Sequence, residues 1–496
     1  MNQFQFHFVI DKQLIRMVQI LDKFQQGSSC SATELSEFTG ASHRTILNDI
    51  KEIKDYFHDS IVLDSSNVGY TFHIKNKQKY LEEKRYLSKK EPLFRIIESI
   101  FFNEIYSLNE WSEKLHSTTA SLARYIDRVK PILSKYQLYI STKEVDLIGE
   151  ELNIRQFFHD FFYESDITPH SVIPSIEAQE IAVSLKKDHF FQEYAKTSFF
   201  DFNYIVFITL ERFKKGKIIN EFSKNKLFMK KELIKHMKTV NLFHVREMIK
   251  HFYDVELTDE ERTYIYLLLI SRRSIESVRA EKIFIERFNN WPETIYLAEK
   301  FTNLFKLSKE KQTSSKVLFQ SFFTNLFLKH TISPILTQNL STISYHANET
   351  FPILYTMCLE FIELEVAPIL KLTIEQIHDI SADLTLYTDA INNKYWFLKK
   401  NILILLEGNQ FIVESIQTRI SKYFTNHHRL FFPGITELDN LYFNTQQFDV
   451  VITNYIEFIE QFDIQSPYIL FEPIPTTSNW KELFKLLDSD LGNILF

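Results

Sequence analysis

His43, Arg44, Thr45, Asn48 and Lys51 stand at spacings of three and four, which places neighbours on one face of an α-helix. Their chemistry suits a nucleic acid. Guanidinium and ammonium groups neutralise phosphates, and the Asn48 amide pairs a donor with an acceptor, matching an adenine edge. A second set, Ser121, Arg124 and Arg128, has the same character 76 residues later. Catalytic chemistry has no such footing. The chain has no phosphate-cradling glycine loop, no HExxH, no nucleophile elbow and no convincing pair of carboxylates. No catalytic residue, cofactor or metal is expected. Its two cysteines, Cys30 and Cys358, lie far apart, which excludes a disulfide framework or a cysteine zinc site and suits a reducing cytosol.

The elements that would carry the first set are legible. Ser31 and Glu34 have capping-box spacing, so a helix should begin near Ala32, with Leu35 and Phe38 facing inward. Gly40 supplies a tight turn and Ser42 caps the next helix, in which Ile46, Ile50 and Ile53 form a buried stripe. Leu14, Met17, Val18 and Leu21 predict a third amphipathic helix upstream. "IVLDSSNVGYTFHI" predicts two short strands around a turn. Three helices and such a hairpin make a winged helix, whose second helix of the helix-turn-helix pair enters the major groove.

The pattern repeats. Leu35, Ser42, Ile46, Ile50 and Ile53 correspond to Trp111, Thr118, Leu122, Ile126 and Val129, and Ser107 with Glu110 repeats the capping box. Tyr125 should face outward beside Ser121, Arg124 and Arg128. "LYISTKEVDLIG" stands where a second wing belongs. Pro131 should kink or end the second recognition helix.

Charge weakens the case for DNA. The net charge is −7, residues 1–75 hold 7 Lys/Arg against 9 Asp/Glu, and residues 76–165 hold 14 of each. Affinity drawn from phosphate neutralisation would be low for one module, so two modules or two subunits must cooperate. The apolar runs are too short to span a bilayer and no signal pattern opens the chain, so a soluble, cytoplasmic protein is expected.

Downstream, Pro169 and Pro174 mark a linker, residues 176–282 read as helices, "NNWPE" is a second break, and residues 293–391 are again helical. Residues 211–250 carry 12 Lys/Arg against 4 Asp/Glu, a solvated helix face or a docking surface for an acidic partner. The last hundred residues alternate strands ("NILILLEG", "HRLFF", "FDVVITN", "SPYILFE") with helices, which predicts a small parallel α/β layer.

Tandem winged helices followed by "DLIGEELNIRQFFHDFFYE" (146–164) resemble the Mga/AtxA-type virulence regulators of Gram-positive bacteria, part of the wider group with phosphotransferase-regulation domains (PRDs). The resemblance implies a mainly α, multidomain chain: winged helix-turn-helix modules at 1–75 and 76–168, PRD-like helical domains at 169–282 and 283–398, and a small α/β domain similar to the EIIB subunit of sugar transporters at 399–496. It implies a homodimer, bound to double-stranded DNA, that answers to sugar-phosphotransferase status through phosphocarrier proteins. Ile205 and Phe322 occupy the positions where the family's phosphorylated histidines would align. His189, His236, His330 and His378 are the remaining candidates. At the EIIB-like phosphate turn stand Leu406, Glu407, Gly408 and Asn409, without a cysteine. The rival reading is a phosphotransfer or sugar-responsive signalling protein whose N-terminal helices bind another protein rather than DNA.

Overall fold

The computed structural model describes residues 3–27, 29–66, 69–87, 91–164, 170–187, 198–219, 243–339, 341–396, 399–434 and 447–487. Of the sequence-based candidates, His189, His236 and the Tyr442–Phe443 pair lie outside the described residues. The chain divides into two units, Met1–Ala390 and Ile391–Phe496.

After a single helical turn at Gln3–Phe6, the first unit continues with helix α1 (Lys12–Gln26), strand β1 (Ser29–Cys30), helices α2 (Ala32–Thr39) and α3 (His43–Tyr56), and strands β2 (Ile61–Ser66) and β3 (Gly69–Ile74). The sheet order is β1-β3-β2, all antiparallel. This is the winged-helix arrangement that the sequence predicts. The capping box is closed in both directions: Ser31 Oγ accepts from Glu34 N, and Glu34 Oε2 accepts from Ser31 N at 2.6 Å. Gly40 sits at φ 67°, the left-handed conformation that a Cβ disfavours, and so lets the chain turn between α2 and α3. Leu35, Ile46, Ile50 and Ile53 are buried together. Phe38 is not: its ring is 47% exposed, with the Lys23 ammonium 5.4 Å from the ring centre. Helix α1 faces two ways. Met17 and Leu21 enter the core of this module, whereas Leu14 and Val18 enter the next core.

Helix α4 (Lys77–Leu87) adds Tyr80 to the first core and leads to helices α5 (Pro92–Phe101), α6 (Leu108–Lys114) and α7 (Thr119–Lys135). The second wing, β4 (Tyr139–Ile140) with β5 (Leu147–Ile148), is much shorter than the first, and a single bridge between Ser107 and Glu144 takes the place of the third strand. Pro131 does not end α7, which runs four residues beyond it. The proline deprives only the Asp127 carbonyl of its donor; both residues are exposed, so water can serve that oxygen. Tyr125 also differs from its expected outward position, since it packs partly against the core.

Helix α8 (Glu151–Phe162) is sheathed on all sides: Phe157, Phe158, Phe161 and Phe162 are wholly buried. Around it lie α9 (Ile176–Lys186), α10 (Phe199–Lys214), α11 (Phe243–Tyr253) and α12 (Asp259–Ser271). One continuous apolar core joins the second winged module to these helices and reaches Leu336. Helices α13 (Val278–Phe288), α14 (Glu293–Thr302), α15 (Lys309–Ile332), α16 (Ser341–Thr350), α17 (Pro352–Phe361) and α18 (Ile374–Ile391) follow.

Among its described residues the second unit contains four parallel strands, β6 (Asn401–Leu405), β7 (Arg429–Phe431), β8 (Val450–Thr453) and β9 (Tyr468–Leu470), in the order β7-β6-β8-β9. Ile402 and Ile404 face a core with helices α19 (Gln410–Phe424) and α20 (Thr477–Leu487), while Leu403 and Leu405 face the other side of the sheet. Burial on both faces accounts for the unbroken apolar run of β6.

Candidate nucleic-acid interface

The first candidate surface is one side of α3. Ser42 caps it by accepting from Thr45 N, and the Thr45 hydroxyl bonds back to Ser42 Oγ at 2.8 Å. Thr45 is therefore half-buried and partly engaged in the cap. His43, Arg44, Asn48 and Lys51 are exposed, and among the described residues none of them has a hydrogen-bond or ion-pair partner. Four unengaged polar groups on a helix with a rigid opposite face are free to meet an incoming ligand. The rigidity has a second source that the sequence reading missed. Asp49, 1% exposed, accepts from Arg16 Nε at 2.6 Å and from Nη2 at 3.1 Å, which clamps α3 to α1. An Asp between two apolar positions on the inner side was the available signal.

The second surface is less open. Arg124 is exposed, but its Nη2 donates to Ser121 Oγ at 3.2 Å, and Ser121 also accepts from the Thr118 cap at 3.0 Å. Arg128 is exposed and close enough to His7 and Glu91 to act electrostatically on both. Ser121 therefore orients Arg124, while Arg128 divides its charge between the surface and the body of the protein.

Behind α7 and α8 are two groups of buried charge. In the first, Arg155 donates to Glu261 at 2.5 and 2.9 Å, to Glu151 at 3.0 Å and to the Lys217 carbonyl at 2.9 Å. Arg212 holds both oxygens of Glu151 at 2.9 and 2.8 Å and donates to the Ile100 carbonyl at the end of α5. Two cations and two anions balance, and both arginine side chains are at most 1% exposed. In the second group, His159 Nε2 lies 2.8 Å from Asp201, and Nδ1 lies 3.3 Å from Asp160, whose other oxygen accepts from Tyr136 at the end of α7. Arg272 pairs with Asp201 and Gln156 and approaches His159 Nε2 at 2.9 Å. Burial and Arg272 push the imidazole down, but the two aspartates outweigh them and leave its pKa raised. His159, Glu164 and Asp201 are close enough to ligate a metal, but the Arg272 guanidinium already lies against His159 and Asp201. The cluster is an ion-pair knot joining the end of α7 to the helices behind it.

Of the histidines proposed as phosphate acceptors, His330 is half-buried and its pKa is lowered by burial. His378 is exposed, with Nδ1 2.9 Å from the Tyr355 hydroxyl. Ile205 is buried, and Phe322 packs against Tyr387. In the second unit the turn after β6 is closed from within: Asn454 bonds both the amide and the carbonyl of Glu407, and Asn409 caps α19 by accepting from Phe411 N and Ile412 N. Two of the helix-start amides that would cradle a phosphate, those of Phe411 and Ile412, are thus already used. Both thiols are buried, and burial raises Cys358 to about 12, so neither has the character of a thiolate nucleophile. The aromatics singled out in this unit mostly serve its core: Phe471 is buried and Phe431 half-buried, while Phe432 is 38% exposed.

Residues 76–162, from α4 to the end of α8, match the family model of the Mga helix-turn-helix domain. Two curated relatives are similar over part of their length. One, from Streptococcus pneumoniae, is named a trans-acting regulator and is 26% identical over 158 residues, 32% of this chain and 32% of the relative. The other, the capsule synthesis positive regulator AcpB of Bacillus anthracis, is 26% identical over 159 residues, 32% of this chain and 33% of its own. The matches span about a third of the length of these relatives. The described helices contain no segment long and apolar enough to cross a membrane.

Proposed function

The chain is related to the Mga-type regulators through its helix-turn-helix domain at 76–162, and from that premise we propose that it is a transcription regulator that grips double-stranded DNA with two winged modules per subunit. The observation that carries this reading is the equivalence of the two modules. Each has a capping box, an N-capped recognition helix with a buried aliphatic stripe, and a basic or amide-bearing outer side. The first surface is His43, Arg44, Thr45, Asn48 and Lys51; the second is Ser121, Arg124 and Arg128. Lysine and arginine position the modules on phosphates, and Asn48 reads a base edge.

Near-neutral local charge makes one pair of modules a weak binder, which favours a homodimer. Two linked copies make the second contact intramolecular and raise avidity about 100-fold or more. The α/β unit, which we read as an EIIB-like relic, supplies the association: Phe411 and Tyr423 stand exposed on α19, and its phosphate turn is closed. The helical segments 169–282 and 283–398 act as PRD-like input domains. If phosphocarrier proteins modify any described histidine, His378 offers the accessible ring.

Selection of bound sequences from random duplex DNA by the full chain, followed by gel shifts at stepped salt, tests the reading. A recovered motif and an affinity that falls steeply with salt are expected. Enrichment of no sequence, with no salt dependence, would overturn it in favour of a protein-binding role for the N-terminal helices.

A further inference from the structure

The exposed side of α3 carries one residue that its polar neighbours do not account for. Leu47 is 42% exposed and lies outside the core of the first module, which takes Ile46, Ile50 and Ile53 from the same helix. His43 stands one turn before it, Lys51 one turn after it and Arg44 three positions before it, and all three are exposed. At about 100° per residue, Arg44 and Lys51 form the ridge of this side, with Leu47 on one flank and Asn48 on the other. Two other exposed apolar side chains of the module are engaged. The Phe38 ring meets the Lys23 ammonium, and the Tyr56 hydroxyl donates to the Glu83 carbonyl.

Charge is segregated along the same helix. From His43 to Lys51 it exposes no acid, because Asp49 is buried against Arg16. Glu52 and Asp55 are exposed only beyond Lys51. The N-terminal half also holds the positive end of the helix dipole, so it is the part that a polyanion's groove accepts, and there the first residues of a recognition helix meet base edges. Leu47 belongs to this half. Thymine is the base that presents a methyl group in the major groove, and an exposed apolar side chain gains by covering it. The equivalent position of the second module is Ala123, three carbons shorter, so the contact is specific to the first module.

We propose, resting on the reading of α3 as a DNA-recognition helix, that Leu47 packs against the C5-methyl of a thymine and is a specificity-determining residue of the first module. It selects an A·T pair in the half of the target that this module reads, beside the adenine-matching amide of Asn48. Arg44 and Lys51 hold the helix at the depth in the groove that the contact requires.

The test uses the full chain and the duplex it enriches from random DNA, synthesised again with each thymine replaced singly by deoxyuridine, which removes only the methyl. Gel shifts give the affinity for each duplex. At one thymine position the replacement should weaken binding by the wild-type chain about fourfold, the value of one methyl returned to water. Leu47→Ala should bind the thymine and deoxyuridine forms of that duplex alike. Its salt dependence should match the wild type, because no phosphate contact is lost. Alanine at an exposed helix position favours the helix, so the variant should melt with the wild type. Wild-type affinity that is indifferent to every thymine methyl overturns the proposal, as does a deoxyuridine penalty that persists in Leu47→Ala. Either result leaves the DNA-binding reading standing, since a motif was enriched and bound. Failure of the full chain to enrich any duplex overturns that reading and this inference with it.

Discussion

Glu261→Gln should be among the most damaging single-atom changes available in this protein. The Glu261 carboxylate is fully buried and accepts from Arg155 Nη1, Arg155 Nη2 and Ile219 N, the last at 2.9 Å. With Glu151 it balances Arg155 and Arg212. The amide keeps the shape but removes the charge, leaving two guanidinium groups to share Glu151, and it turns one NH2 toward donors. Removing one partner of a buried pair costs about 3–5 kcal/mol. A second substitution should recover much of that. With Arg155→Met added to Glu261→Met, the Arg212–Glu151 pair is left intact at 2.8–2.9 Å and the site is neutral. The residual loss is then chiefly the Lys217 carbonyl, which gives up its Arg155 donor, and the Ile219 amide, which gives up its Glu261 acceptor, about 1 kcal/mol each. The double mutant should thus be more stable than the sum of its singles by at least about 2 kcal/mol. Urea unfolding followed by tryptophan fluorescence suits the question, because buried Trp111 reports the second winged module, which this network joins to α10 and α12. A cost below about 1 kcal/mol for Glu261→Gln, or strict additivity in the cycle, would refute the view that the four charges act as one dry unit.

Arg44→Ala with Asn48→Ala should reduce DNA affinity by about 1–3 kcal/mol for one bidentate base contact, without lowering the melting temperature, since both side chains are exposed and unpartnered; gel shifts and calorimetry check the two halves. Ile50→Asp should instead unfold the first module, because its side chain is packed in the core and a charge there has no partner; loss of helical circular dichroism would report it. His159 has a folded pKa above its ordinary 6.5, so its contribution to stability is present below that value and is lost as pH rises through the raised pKa; His159→Gln should flatten the melting temperature over that window, and an unchanged pH profile would count against the cluster. A chain ending at Asn393 should sediment toward monomer and bind DNA more weakly with its winged modules intact, and a truncation that remains fully dimeric would move the interface into residues 169–393.

The local elements were legible because short-range chemistry decides them. Ser31 with Glu34, Ser107 with Glu110, Gly40 at its turn and the Ile46–Ile50–Ile53 stripe each depend on residues a few positions apart, and each formed as the spacing requires. The parallel strands of the last hundred residues were legible for the same reason: doubly buried strands leave continuous apolar runs. What tertiary structure alone decided depends on partners far along the chain. Arg155 and Glu261 are 106 residues apart, and nothing near Arg155 marks it as a fully buried cation rather than one more charge on the surface of an amphipathic helix. Phe38 emerged and Leu14 and Val18 turned to a second core because helix faces are assigned by what packs against them, not by hydropathy alone. Pro131 stayed within its helix because its backbone defect faces water.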